Sequence, residues 1–264
     1  MSNRREILAG FAAWAAGGHA LPVGAKMSEL RLDEPEANLE AYIKLRGDLR
    51  DEPVYDMVRG RVFGLVGGEA PRPLFKTIGA QRTRYSRVSA LEYRAETLYV
   101  GMLLDWGSER LLQSWINPYN DLACEVPVTR YGPAEIRLLA DRMLPGGSES
   151  EPTRGTRPWF VMGHVVHMVD QIMAPAPEAL QPDGDLMSFS GDWRQLADPA
   201  VTRIPSQLSF TAVEHWRDWM QMEQPGSLWW HVVGVKLDGP GDYPDEFTGL
   251  LHSEAPDFFG KGSI

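Results

Sequence analysis

A strict alternation of side-chain polarity in one short stretch constrains this chain more than any other feature of its sequence. Every second position from Tyr93 to Tyr99 is uncharged, while Glu92, Arg94 and Glu96 fill the positions between them. A period of two is that of a β-strand with one face in the core and the other in water. Half-solvated strands of this kind belong to antiparallel sheets.

Several other runs have the composition of strands, and they predict most of the architecture. Two of them meet at Gln224-Pro225-Gly226, which predicts a hairpin within Ser206–Leu237, a stretch holding four of the nine tryptophans. Because no strand–helix–strand rhythm is present, we expect a mainly β fold of the β-rich α+β class, an antiparallel barrel-like curved sheet with a few short helices. The predicted strands are 54–66 (with a turn at Arg59-Gly60), 82–88, 92–104, 110–116, 159–173, 186–196, 208–222 and 228–237.

Two helices are predicted beside the sheet. Asp33 and Glu36 have the spacing of a capping box, and an apolar stripe then runs to the stop at Gly47, so we expect a helix over Pro35–Arg46. Gly132–Met143 has the composition of a second short helix. At the other end of the chain, Phe258 and Phe259 are expected to dock onto the domain.

The first 26 residues are predicted to lie outside the folded domain. Arg4-Arg5 and the Ala/Gly-rich run after them resemble a twin-arginine export signal, and the apolar run is too short for a membrane anchor. This interpretation predicts a periplasmic protein; the alternative is a cytoplasmic protein that starts at Met27. Residues 27–264 are expected to form a single barrel-like domain, in which 145–158 is a long surface loop.

Composition argues against several classes of partner and cofactor. The net charge is −10 and the basic runs are short, whereas phosphate binding requires concentrated Lys and Arg, so no nucleic-acid partner is expected. Cys124 is the only cysteine, which excludes an internal disulfide and a thiolate metal cluster. Gly64, Gly67 and Gly68 do not have dinucleotide-binding spacing. We therefore expect no cofactor.

His164 and His167 are the first candidate functional pair. On a helix their spacing would place both on one face, as a metal pair requires, whereas on a strand they would lie on opposite faces. The valines around them favour a strand. Three interpretations follow: one inward histidine acting as a catalytic acid or base, a metal pair, or two structural histidines. We assign no metal site.

The segment His215–Met222 mixes polar and aromatic side chains densely. If it continues as a strand, His215, Arg217 and Trp219 share one face and Trp216 lies on the other. His215 would then serve as acid or base near neutral pH, and Arg217 would orient an anion between the two indoles. The alternative is that the indoles belong to the core and the charges form a solvated rim.

Two further groups complete the candidate site. Trp115, Asn117 and Tyr119 flank a proline-defined turn, where Asn117 and Tyr119 are suited to polarise a carbonyl or hold a phenol. Arg194 lies beside Trp193 and is a further candidate for substrate binding, although a surface ion pair is the simpler interpretation. An ordinary Asn-Pro turn with aromatic packing explains the first group equally well.

Four stretches of the chain resemble a bacterial family catalogued as domain of unknown function 1838. They are 32–49, 59–75, SWINPYND at 114–121 and HWRDWMQM at 215–222. In the third stretch Asn120-Asp121 stands where the family usually has Thr-Gly, so the loop's role is altered here. The resemblance implies a curved β fold with a pocket and export signals in many members, and it implies no mechanism.

Two functions are consistent with these features. The first is a cofactor-independent lyase or isomerase, for example a retro-aldolase, whose His and Tyr side chains exchange protons with a small aromatic or hydrophobic substrate. The second is a carrier that holds a hydrophobic ligand without changing it. A homodimer is possible, because curved sheets with free edges often pair.

Overall fold

The structure is a computed structural model that describes residues 30–145, 157–173 and 184–260. It contains three α-helices, two single-turn 3₁₀ helices (218–220 and 240–242) and twelve strands within those ranges. The helices are α1 (Pro35–Arg46), α2 (Trp193–Ala197) and α3 (Asp245–Glu254); the strands are β1 (Val54–Leu65), β2 (Arg72–Ser89), β3 (Glu92–Asp105), β4 (Ser114–Ile116), β5 (Ala123–Glu125), β6 (Thr129–Leu139), β7 (Met143–Pro145), β8 (Trp159–Met162), β9 (Val165–Met173), β10 (Gly184–Asp192), β11 (Ser206–His215) and β12 (Ser227–Leu237).

Ten strands form one antiparallel sheet that curls into a half-barrel, which confirms the predicted fold class. Its order is β7-β6-β3-β2-β1-β12-β11-β10-β9-β8, so the hairpin of β11 and β12 pairs with β1 at the centre. The predicted hairpin is thereby confirmed. β4 and β5 form a separate two-stranded ribbon.

Helix α1 packs into the concave face of the sheet, with the bounds predicted from the sequence. Its Leu39 and Ile43 belong to a core cluster that includes Tyr93 of β3 and Met168 of β9, strands from opposite halves of the sheet. The predicted cap is wrong: the helix begins after Glu34, and no side chain caps it. Packing rather than capping therefore fixes the helix in place.

The two edges of the curled sheet approach each other beside α1. The Tyr42 hydroxyl donates to Asp170 Oδ2 of β9 at 3.3 Å and lies 3.9 Å from Met143 Sδ of β7. Arg157 Nη1, just before β8, donates to the carbonyl of Leu139 at the end of β6. Side chains thus link the two sides of the half-barrel near its open seam.

The outer face of β1, β2 and β3 is covered by α3 and the C-terminal segment. Phe258 is fully buried and Phe259 is 7% exposed, which confirms that both rings dock. They pack with Tyr243 and Phe247 against Leu98 and its outward neighbours. Since β-strands alternate faces, the central strands contribute to one core on each side of the sheet.

The predicted helix over Gly132–Met143 is wrong, because this region forms β6 and the start of β7. Ile136 and Leu138 alternate toward the concave face, opposite Ala95 and Tyr93 of β3. On the other face Arg137 pairs with Glu92 at 2.7 Å. These cross-strand contacts outweigh the helix propensity of a short Ala, Glu and Leu-rich segment.

Five predicted strand boundaries are also wrong. The strand predicted over 159–173 is divided by a turn into β8 and β9, and the last residues of the strand predicted over 186–196 form α2. Arg59-Gly60 is not a turn: β1 is continuous there, and a Cβ on Gly60 would lie 2.5 Å from the His231 carbonyl oxygen, so this glycine permits close strand approach. The strand predicted over 208–222 ends at His215 and is followed by the 3₁₀ turn. Of 110–116, only Ser114–Ile116 is a strand.

Two predictions fall outside the described residues: the signal in 1–26 and most of the loop predicted over 145–158. Within the ranges that the structure covers, no helix is long and apolar enough to cross a membrane.

Replacing the buried Phe258 by alanine should lower the free energy of unfolding by about 3–5 kcal/mol, because it leaves a cavity between α3 and the sheet. Chemical denaturation measures this loss. The matched control is Leu91→Ala, whose side chain is 49% exposed and should change stability by less than about 0.5 kcal/mol. Equal losses in both variants would contradict the docking of the C-terminal segment.

Candidate functional site

The concave face of the sheet has three zones. At one end it is covered by α1, and at the other by an aromatic layer built from the β4–β5 ribbon and the 216–222 segment. Between them lies a strip of half-buried side chains, which we call the central groove: Tyr99 of β3, Met187 of β10, and Leu208 and Phe210 of β11.

The floor of the central groove is a row of glycines across neighbouring strands. Gly79 lies directly opposite Gly101, and Val58 lies between Gly79 and Gly234 in the same row. A Cβ at Gly79 or Gly101 would lie 2.7 or 2.6 Å from the Tyr99 hydroxyl oxygen. The two glycines therefore make the space in which the Tyr99 side chain lies across the floor.

Tyr99 is the titratable side chain of the floor, and its surroundings keep it neutral. Burial and, to a smaller extent, the nearby Glu214 carboxylate raise the pKa of Tyr99 to about 12, while the Arg217 guanidinium opposes the shift. Glu214 and Arg217 form an ion pair of 2.6 Å at the margin of the groove. At neutral pH the groove therefore offers a phenolic hydroxyl as a hydrogen-bond donor beside an ion pair.

A buried ammonium joins α1 to the sheet at the covered end. Lys236 Nζ donates to the carbonyl oxygens of Lys44, Leu45 and Gly47 at 2.9, 2.9 and 3.1 Å. These groups lie at the C-terminus of α1, where carbonyls lack intrahelical partners and the helix dipole favours a cation. Burial lowers the pKa of Lys236, and Asp56, directly opposite on β1, raises it.

Asp56 belongs to the same ionic network. Its burial raises its pKa, while Arg46, Lys236 and Arg203 lower it. The Arg46 guanidinium lies 4.1 Å from the centre of the Phe189 ring, between the tyrosines and carboxylates of this zone. Mutual pairing of this kind is what allows charged groups to remain inside a protein.

Asp170 is a buried carboxylate of this zone that is only partly paired. It is 2% exposed, and Tyr42 donates to its Oδ2. Its Oδ1 is buried and, within the described ranges, accepts no hydrogen bond. Asp170 lies on the concave face directly opposite Met187, so an acceptor of hydrogen bonds lies next to the groove.

The aromatic layer brings together most of the substrate-binding residues predicted from the sequence. Trp115, Trp219 and Phe75 have ring centres 4.8 to 5.9 Å apart, and the ring centres of Trp216 and Tyr119 are 5.6 Å apart. From the sequence, the two stretches that supply the predicted residues are separate candidates. The layer closes one end of the concave face.

The polar side chains of this layer form hydrogen bonds with backbone groups of the same layer. Asn117 is fully buried, its Nδ2 donates to the Met220 carbonyl at 2.6 Å, and its Oδ1 accepts from the Tyr119 backbone N–H at 3.0 Å. Trp216 Nε1 donates to the Gln224 carbonyl. Burial raises the pKa of Tyr119, which keeps its hydroxyl neutral. A role in ligand binding for these residues stays a prediction.

The histidines predicted to be catalytic lie away from the concave face. His167 is on the outer face of β9, half-buried, with its ring stacked 4.9 Å from Phe160, and burial lowers its pKa. His164 is exposed in the β8–β9 turn, and His215 is exposed where β11 ends. Across 30–145, 157–173 and 184–260, no three His, Cys, Asp or Glu side chains could share a metal ion.

The predicted arginines differ in their positions. Arg217 borders the central groove through its ion pair with Glu214, and its guanidinium lies 5.9 Å from the Trp230 ring centre. Arg194 is exposed on the short helix α2, outside the groove. Of the two arginines predicted to bind substrate, only Arg217 lies at the groove.

Sequence reasoning missed Tyr99, Glu214, Asp56 and Lys236 as site residues. A signal for two of them was present: Asp56 and Lys236 occupy positions that alternate in phase with the buried Val54 and Val232. A charge at an inward position of a strand is a reason to search for a partner.

A second concavity of about 540 Å³ lies on the outer side, between β2, β3 and the C-terminal segment. Its walls mix Tyr55 and Phe259 with charged side chains of both signs. Arg84 at its margin is already paired with Asp51 at 2.9 Å. This cleft is open and polar, and it suits an apolar ligand less well than the central groove.

Replacing Lys236 by methionine should cost about 3–5 kcal/mol of unfolding free energy, because it removes the donor from three carbonyls at the end of α1 and takes one of its cations away from the buried Asp56. Denaturant titration measures the loss. Lys76→Met is the control, since Lys76 pairs with Glu109 near the surface and should cost less than about 1 kcal/mol. Adding Asp56→Asn to Lys236→Met should recover part of the loss, and a further loss would contradict the pairing.

Comparison with known proteins agrees with the resemblance seen in the three stretches at 59–75, 114–121 and 215–222. No curated protein matches the chain. A family model described as Protein of unknown function (DUF1838) matches residues 51–261, from just before β1 to the docked C-terminal segment. The match spans all twelve strands and most of the chain, and the protein therefore belongs to the DUF1838 family.

Proposed function

We propose that this protein binds a small apolar or aromatic molecule in the central groove and holds it without changing it. The observation that carries the proposal is the position of the neutral Tyr99 hydroxyl on a glycine-floored strip that also carries the apolar side chains of Leu208 and Phe210. Pockets for such ligands are mainly apolar with a few well-placed polar groups. The half-buried side chains of Leu208, Phe210 and Met187 would contact the apolar body.

Tyr99 and Arg217 limit the class of molecule that the central groove can bind. Tyr99 would donate to an oxygen of the ligand, such as a carbonyl or ether, and Arg217 would favour a partial negative charge at the same end. An apolar molecule with one oxygen-bearing end satisfies both requirements. Phenolic and isoprenoid compounds belong to this class.

A lyase or isomerase acting on the same class of molecule is the second candidate. Glu214 is the observation in its favour, because a carboxylate beside a phenol and a guanidinium is a possible general base. Binding is favoured over catalysis here, since a Tyr with a raised pKa exchanges protons poorly near neutral pH and the described histidines lie elsewhere.

The test is to titrate a panel of phenolic and isoprenoid compounds into the protein, follow tryptophan fluorescence, and then measure the mass of each ligand. We expect saturable quenching by at least one compound with its mass unchanged. Phe210→Gln should weaken that binding about tenfold, because it places an amide on the apolar floor. Thr211→Gln, the next residue on β11 and on the opposite face, is the control.

Two outcomes would contradict the binding proposal. A ligand whose mass changes, with the change lost in Glu214→Gln, would make the protein an enzyme. Quenching that is equally strong in Phe210→Gln and in the parent would place the ligand outside the central groove.

Tyr99→Phe should weaken a ligand with an oxygen acceptor by about 3–10-fold, because it removes one hydrogen bond, and should leave a pure hydrocarbon unaffected. In the parent protein the affinity should stay constant from about pH 7 to 10, since the donor is lost only as the pH approaches the raised pKa of about 12. Tyr55→Phe, under α3 on the other face, is the control. A loss of affinity already complete at about pH 9 would contradict the role of Tyr99.

A further inference from the structure

The outer face of β8–β12 differs from the rest of the surface in its lack of charge. Of the outward side chains described on these five strands, only Asp192, at the very end of β10, is Asp, Glu, Lys or Arg. Asp192 caps α2 by accepting from the backbone N–H groups of Arg194 and Gln195. In a chain with 23% charged residues, a face without charge across five strands calls for a physical reason.

This uncharged face also carries exposed apolar side chains. Five of the ten large hydrophobic side chains exposed in the described residues lie on it: Phe160, Met162, Leu186, Val233 and Val235, from 42% to 59% exposed. Helix α3 and the C-terminal segment cover the outer face of β1 to β3 and contact β12 through its last residue, Leu237. Neutral polar side chains such as Ser209 and Thr211 lie between the exposed apolar side chains, and a face of apolar and neutral polar groups without charge has the composition of the centre of a protein interface.

We propose that the uncharged face is the interface of a homodimer, in which two copies of this chain pack sheet against sheet. Each copy carries a net charge of −10, so two copies repel each other over most of their surfaces. On the uncharged face they meet without bringing like charges together, as the charge-depleted centres of protein interfaces require. A two-fold axis uses the same patch twice, so no complementary surface is needed elsewhere.

The size of the face is sufficient for a dimer of moderate affinity. Five strands about 4.8 Å apart and roughly eight residues long, at about 3.3 Å per residue, cover about 600 Å². Two copies would bury about 1,200 Å², at the lower end of stable interfaces. Ser209, Thr211 and Gln207 between the apolar groups make the face more polar than a lipid-binding surface, which favours a protein partner.

Sedimentation velocity of the full chain over concentrations from about 1 to 100 µM tests the proposal, because an interface of this size gives affinities in or below that range. We expect a monomer–dimer equilibrium. Val233→Glu should weaken the dimer on the order of 100-fold, since it places like charges opposite each other. Val88→Glu is a matched control, because Val88 and Val233 are both 53% exposed and Val88 lies outside the face.

A chain that remains monomeric at every concentration in this range overturns the proposal. The same result is expected if one of the chain's own segments covers the face, so that case overturns it too. A dimer that Val233→Glu and Leu186→Glu leave as tight as the parent also overturns it, because the contact then lies elsewhere. Since both side chains point into solvent within the monomer, unchanged circular dichroism in the variants is expected and shows that they fold.

Discussion

The contact between the Lys236 ammonium and the C-terminus of α1 is the interaction on which the architecture most depends. A curled sheet of ten strands has a concave face too wide for its own side chains to fill, and α1 fills one end of it. A helix that ends inside a protein has carbonyls to satisfy, and three of them receive hydrogen bonds from one side chain on the central strand β12. The position of α1 then determines where the covered zone ends and the central groove begins.

Local patterns predicted the elements whose neighbours are close in sequence. The alternation from Glu92 to Tyr99 gave β3, and the apolar stripe of Pro35–Arg46 gave the exact bounds of α1. The same reasoning failed for β6, where Ile136 and Leu138 are inward because β3 lies beside them. Nothing within the segment itself distinguishes that strand from a short helix, since its pairing partner decides the outcome.

The candidate site was predicted less well, because its groups come from distant parts of the chain. Lys236 bonds to a carbonyl 192 positions earlier. Tyr99 takes its position from two glycines, and its pKa is raised by burial and further by Glu214 of a distant strand. The tryptophans of 216–230 were predicted to line a site because they are close together in the sequence. In the structure, Asn117 and Trp216 donate hydrogen bonds to backbone carbonyls of the aromatic layer. Density of aromatic residues in a sequence thus reports where large rings pack, whereas a charge at an inward strand position reports where chemistry is possible.

The two edge strands of the sheet have a consequence for how the protein behaves at high concentration. β7 has three residues and β8 has four, while the central strands have up to eighteen. Each of these two strands gives another chain few backbone groups to pair with, which limits extension by strand addition at β7 and at β8. Association through a face related by two-fold symmetry is self-limiting, whereas association through a strand border can continue without end. The short edge strands β7 and β8 therefore limit polymerisation of the sheet at their own borders.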